Sequence, residues 1–202
     1  MKKIMFNDKY GLTQAVLEGR KTMTRRIVPD NIYKKGIEYC NEYYADTLDA
    51  LDEEEFLLEV APFKPGDVVA VAQNLRDMGY DPKNTKLRSG AIWGLDHTPA
   101  WTNKMFVSAS ECVHQISITN VRVERLQDIS DKDCVKEGIY VSETEPFVPN
   151  GYSPHCANDP KEPKEWFHTP REAFASLIDK VSGKGTWQAN PYCFCYTFEL
   201  VK

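Results

Sequence analysis

The chain has 202 residues, 42% of them hydrophobic and 27% charged, with a net charge of −5 at pH 7. This ordinary globular composition excludes collagen-like, coiled-coil and globally disordered classes, and a chain of this length buries roughly 70% of its unfolded surface. The longest wholly apolar run, the five residues Val68 to Ala72, is too short for a transmembrane helix; the basic start MKKIMFNDKY lacks the apolar stretch of a secretory signal; and six cysteines without a C-x-x-C motif point to reduced thiols in a cytoplasmic protein.

Residues 3–6 read as a short apolar strand. Asn7 or Asp8 can cap a helix whose apolar face holds Leu12, Ala15 and Val16, with Gly19 at its C′ position. Lys21 to Val28 reads as extended, with β-branched Thr22, Thr24, Ile27 and Val28. Charge is uneven here. Residues 1–30 hold seven Lys/Arg against three acids, and residues 31–60 hold two lysines against nine acids. The acidic stretch is expected to be helical, with Asp52 to Glu55 solvated.

Lys64-Pro65-Gly66-Asp67 has the signature of a type II turn. The uniformly apolar Val68 to Ala72 then suits a strand buried on both faces. Residues 73–112 have weak periodicity and several turn signals, and read as an insertion. Gln115 to Leu126 reads as a strand whose apolar phase shifts from Ile116 and Ile118 to Val121 and Val123. That shift predicts a bulge near Asn120, the kind of kink found where a sheet curls into a barrel. Ser130 caps a short helix holding Val135 and Glu137 and ending at Gly138. Residues 146–170 carry six of the twelve prolines and read as an irregular excursion. Thr169-Pro170-Arg171-Glu172 is a capping box opening a helix with Phe174, Leu177, Ile178 and Val181 on one face and Gly183 at its end. Pro191 to Val201 closes the chain as a strand with a core-facing aromatic stripe. The whole reads as one α+β domain, mostly β: a small β-barrel with two or three flanking helices and insertions at about 73–112 and 140–168.

The densest chemical signal is Gly19-Arg20-Lys21-Thr22-Met23-Thr24-Arg25-Arg26, with four cations and two hydroxyls. In an extended strand Thr22 and Thr24 share one face, and Lys21, Met23 and Arg25 the other. Arginine offers a fork to phosphate or carboxylate, and lysine a point charge. Four like charges repel, which invites an anionic partner or compensating acids. Cys112-x-His114 and His155-Cys156 lack a recognised zinc-ligand spacing, so no metal or other cofactor is expected.

Taken together, FNDKYGLTQAVLEGRKTMTRRIV, KPGDVVAV, ITNVRVERLQDISDKDCVKEGI and AFASLIDKVSGKGTWQANPY with the closing strand resemble the ASCH domain, a branch of the PUA-like superfamily. Their order and spacing are similar to those of larger ASCH proteins frequently encoded by phages and prophages. Where those relatives carry an Arg and a Glu after the K-P-G-D strand, this chain reads Val69-Ala70-Val71-Ala72-Gln73-Asn74-Leu75. The resemblance implies a small, partly open barrel with a cleft beside the first helix, which binds RNA or a nucleoside or nucleotide.

Some small members look like amidohydrolases that remove the acetyl group from the exocyclic amine of acetylcytidine. They act through a Lys and a Thr of a G-R-K-T-x-T motif and a Glu of a later helix, which fall here on Lys21, Thr24 and Glu137. Arg20, Thr22, Arg25 and Arg26 are then expected to bind the ligand. Trp187 either rims the cleft and stacks on a base or packs the last helix onto the barrel. The alternatives are a ribonuclease, a non-catalytic RNA-binding module and a phage-associated accessory protein. Amide hydrolysis needs a nucleophile, a base and a stabiliser for the oxyanion. Thr24 suits the nucleophile or the holder of an attacking water. Lys21 suits the base if burial and the arginines keep it neutral; if it stays charged, Glu137 suits the base. Either version requires the cationic turn and the acid-bearing helix to share one hollow.

Overall fold

The computed structural model describes residues 1–43, 50–83, 87, 90, 95–142, 151–154 and 165–201. Its spine is the antiparallel pairing of β4 (Gln115–Arg125) with β7 (Tyr192–Leu200), in a register running from Ile116 opposite Leu200 to Arg125 opposite Tyr192. The register slips between Ile118 and Asn120, where the apolar phase of the sequence shifts. β7 takes β2 (Met23–Ile27) on its far side, antiparallel. β4 takes β3 (Val68–Val71), and β3 takes β1 (Lys3–Ile4) in parallel, giving the order β1-β3-β4-β7-β2.

One expectation is corrected here. Among the described residues helix exceeds strand, about 39% against 24%, so the α+β chain is not mostly β. The surplus comes from the acidic segment, which forms α2 (Asp30–Tyr43) and α3 (Ala50–Val60), and from 3-10 turns in the first insertion. Among the described residues no closed barrel is found, and β1 and β2 are the two edges of the sheet. The edges nevertheless approach each other. Nη2 of Arg26, on β2, donates to the Met5 carbonyl just past β1 at 2.5 Å.

Local chemistry explains most element ends. Asn7 caps a 3-10 turn, Asp8–Tyr10. Gly11, at φ 65°, breaks that turn before α1 (Leu12–Leu17), so the helix starts later than the cap residues suggest. Gly19, at φ 73°, reverses the chain after α1. Gly66, at φ 90°, with the Asp67 amide donating to the Lys64 carbonyl at 3.0 Å, makes the expected turn. Ser130 accepts from the Asp133 amide to start α4 (Asp131–Lys136), and Thr169 and Glu172 form a reciprocal capping box on α5 (Pro170–Ser182). The second insertion is not wholly irregular. β5 (Tyr140–Ser142) pairs with β6 (Gly151–Ser153), and Tyr152 bridges to Phe167. The His155-Cys156 pair lies outside the described residues.

The core runs between the sheet and its helices. Phe174, Phe194, Tyr196, Phe198, Leu57 and Ile116 are at most 1% exposed; each such apolar side chain contributes about 1.5–3 kcal/mol by leaving water. β7 lies between β4 and β2, and Tyr192 to Tyr196 are buried on both of its faces. Cys112, Cys134, Cys193 and Cys195 are buried free thiols, and burial pushes Cys134 and Cys193 up to about 12. A smaller cluster of Ala70, Leu75, Val107 and Cys112 anchors the first insertion. That insertion is also tied to the N-terminal loop. Lys3 Nζ donates to the carbonyls of Met105 at 2.7 Å and Val107 at 2.5 Å. Lys104 Nζ pairs with Asp8 at 2.7 Å and donates to the Phe6 carbonyl. Among the described residues, no helix is long and apolar enough to cross a membrane.

Candidate active site

A cavity of about 290 Å³ opens where β1 and β2 face each other. Met5, Phe6 and Asn7 line it from beyond β1, and Thr24, Arg25, Arg26 and Ile27 from β2. Lys21 and Glu137 join them, and α5 supplies a largely apolar wall of Phe174, Leu177, Ile178 and Val181.

Backbone bonds bring the lysine to the acid. The Lys21 amide donates to the Ala15 carbonyl at 2.9 Å, fixing the turn after α1. The Thr22 amide donates to the Lys136 carbonyl at 3.0 Å, docking the end of α4 beside the start of β2. Glu137 is the C-cap of α4, and Gly138 follows at φ 100°. A Cβ on Gly138 would lie 3.3 Å from Leu12 Cδ2 and 3.4 Å from Lys21 Cδ. The bare glycine therefore lets the lysine stem pass, and Lys21 Nζ ends 2.7 Å from Glu137 Oε2 and 2.6 Å from the Glu137 carbonyl. Strand alternation would send Lys21 and Thr24 to opposite faces. Both reach the cavity because Lys21 precedes β2 and because β2 is an edge, open to side chains from either face.

Glu137 lies between two cations. Its Oε1 accepts from Arg25 Nη1 at 3.2 Å, and Arg25 in turn donates through Nε to Glu124 Oε1 at 3.1 Å. Arg25 Nη2 also reaches Glu124 and lies 3.7 Å from Asp133. Lys21 is 2% exposed and Glu137 4%. Burial lowers the Lys21 pKa from its ordinary value; Glu137 opposes the shift, and Arg26 and Arg25 reinforce it. For Arg25, burial acts in the same downward direction but is outweighed by Glu137 and Glu124, so its pKa is raised. Thr24 is 4% exposed and lines the cavity, and its hydroxyl makes no hydrogen bond among the described residues. The site thus presents an unengaged hydroxyl, a buried amine inclined to give up its proton, and a carboxylate that holds that amine.

The structure places Lys21, Thr24, Glu137, Arg25 and Arg26 on the cavity, and three other expected residues elsewhere. Arg20 pairs with Glu18 at 2.6 Å on the surface. Thr22 contributes its backbone, accepting from the Phe198 amide at 2.9 Å. Trp187 packs edge-on to Phe174 at 6.1 Å and against the Arg171 guanidinium at 5.3 Å, so of its two expected roles the position matches packing. Sequence reasoning missed Phe6, whose ring centre lies 5.7 Å from Lys21 Nζ and 5.6 Å from Arg26 Cζ, and Glu124, which anchors Arg25. No local motif links Glu124 to Arg25; only the placement of β7 between their strands does. Among the described residues, no group of three or more His, Cys, Asp or Glu side chains is arranged to hold a metal ion. No known protein family, curated protein or solved structure matches the chain.

Proposed function

We propose that the chain is an ASCH-type amidohydrolase that cleaves an acyl amide from the exocyclic amine of a modified pyrimidine nucleoside or nucleotide. The convergence of Lys21, Thr24 and Glu137 on one cavity carries this reading. A volume of about 290 Å³ sits at the small end of ligand pockets and suits a single nucleoside-sized molecule. The apolar wall of α5 suits a base and acyl group, and the opposite, ionic wall suits the reacting amide.

In the proposed reaction Thr24 Oγ1 attacks the acyl carbon, and its proton passes to the neutral form of Lys21, which burial favours. The C–N bond breaks as Lys21 returns the proton to the departing amine. Water then adds to the acyl-threonine ester, with Lys21 again taking and returning the proton, and a carboxylic acid leaves. Glu137 holds Lys21, and Arg25 holds Glu137. The ion pairing argues against a phosphate-gripping RNA track, because Lys21 and Arg25 are engaged by Glu137 and Glu124, and Arg20 by Glu18.

Incubation of the purified protein with acetylcytidine tests the proposal. Cytidine and acetate are the expected products, with kcat/KM down about 100-fold or more in Lys21→Ala and Thr24→Ala. No turnover by the wild-type protein would overturn it.

A further inference from the structure

We infer that the ligand of this cavity carries an anionic group, phosphate or carboxylate, and that Arg26 is its counter-ion. The inference rests on the ligand site proposed above and adds the charge class of what enters it.

The basic side chains on the cavity are not equally paired. Lys21, Arg25 and Arg26 are its cations, and Glu137 is the only carboxylate among the described lining residues. Glu137 is shared between Lys21 and Arg25, and Glu124 and Asp133, behind Arg25, supply further acids to that pair. Arg26 is left over. Among the described residues it has no carboxylate within ion-pair distance; its contacts are the Met5 carbonyl at Nη2 and the face of Phe6. Its Nε is fully buried and has no hydrogen-bond partner.

A guanidinium has five N–H donors, and desolvating it without a counter-ion is costly. The cost registers on the group itself: burial lowers the Arg26 pKa against the opposing charge of Glu137. Tyr196 also lacks a partner at its hydroxyl and lies close enough to interact electrostatically with Arg26. It does not supply the missing charge, because burial pushes it up to about 12 and keeps the phenol protonated. An arginine fork facing a cavity with donors to spare matches the oxygens of phosphate or carboxylate. Arg26 follows Thr24 by two positions on β2, so an anion held there lies beside the proposed reacting hydroxyl rather than displacing it.

The test compares four probes in the full chain: acetylcytidine, its 5′-monophosphate, its 3′-monophosphate and its 5′-carboxylic acid. At least one charged probe is expected to exceed the neutral nucleoside in kcat/KM by about 10- to 100-fold, the range of a charge-assisted hydrogen bond. Which of the three gains most identifies the group and its position. In Arg26→Gln that ratio is expected to fall to about one, and in Arg26→Lys to be partly restored. Equal handling of all four probes by the wild-type protein would overturn the anion inference and leave the amidohydrolase reading standing. If none is hydrolysed, the amidohydrolase reading falls, and thermal shifts with cytidine and its 5′- and 3′-monophosphates decide the inference. Stabilisation by a monophosphate but not by cytidine, lost in Arg26→Gln, supports it; equal or absent shifts overturn it.

Discussion

Arg20 and Lys21 are neighbours in the chain, and each pairs with a glutamate at 2.6–2.7 Å, yet the two pairs differ in kind. The side chains of Arg20 and Glu18 are about one-third exposed, in the surface turn after α1. Water and salt already stabilise each charge there, so the pair adds less than about 1 kcal/mol. Lys21 and Glu137 are almost wholly enclosed, 116 positions apart in the chain. Removing one partner strands a charge that solvent does not reach. The cationic run that looks uniform in sequence is thus divided by burial into a surface residue and a machine part.

The contrast is broken most directly at Glu137. Glu137→Ala is expected to lose about 3–5 kcal/mol in urea unfolding, because it strands both Lys21 and Arg25; an unchanged midpoint would mean that the two cations find other partners. Next comes Gly138→Ala, which places a side chain at φ 100° against the lysine stem and Leu12 and is expected to cost about 1–3 kcal/mol. A pH titration sharpens the picture further. The folded Lys21 pKa lies below 10.5, so the folded state releases this proton before the unfolded state does. Stability from this group therefore rises with pH between the lowered folded value and 10.5, and the slope is expected to flatten in Lys21→Met. Because the proposed base is the neutral Lys21 amine, kcat is likewise expected to rise with pH through an apparent pKa below 10.5. Thr24→Val is expected to abolish turnover while changing stability by less than about 1 kcal/mol, since its hydroxyl has no internal bond to lose. The smallest effect belongs to Arg20→Ala, below about 1 kcal/mol by the same unfolding measurement.

Much of the fold was legible where local chemistry decides. The Asn120 slip, the Gly66 turn, the Gly19 reversal and the Thr169 capping box depend on a few adjacent residues, and each is found where the pattern places it. Lys21 and Thr24 stood out in the cationic run, but their meeting with Glu137 was expected only from a motif resemblance, because nothing in strand periodicity puts residues 21 and 24 on one cavity. The open edge at β2 does that, and edge position belongs to the sheet order, not to the segment. The same limit hid Glu124. The acidic helices were anticipated, and only the 3-10 part of the helical surplus was missed, for a different reason. The 3-10 turns of residues 95–106 have too few residues each to set a period.

The lysine ties from the first insertion have a thermodynamic consequence for recognition. Lys104 grips the loop that presents Phe6, and Lys3 secures the insertion from the other direction. That loop is therefore immobilised before any guest arrives, and the entropy of ordering it is charged to folding instead of to association. Cutting the tie in Lys104→Ala should accordingly speed amide hydrogen exchange across residues 5–8 and weaken affinity for a guest that touches none of the inserted residues.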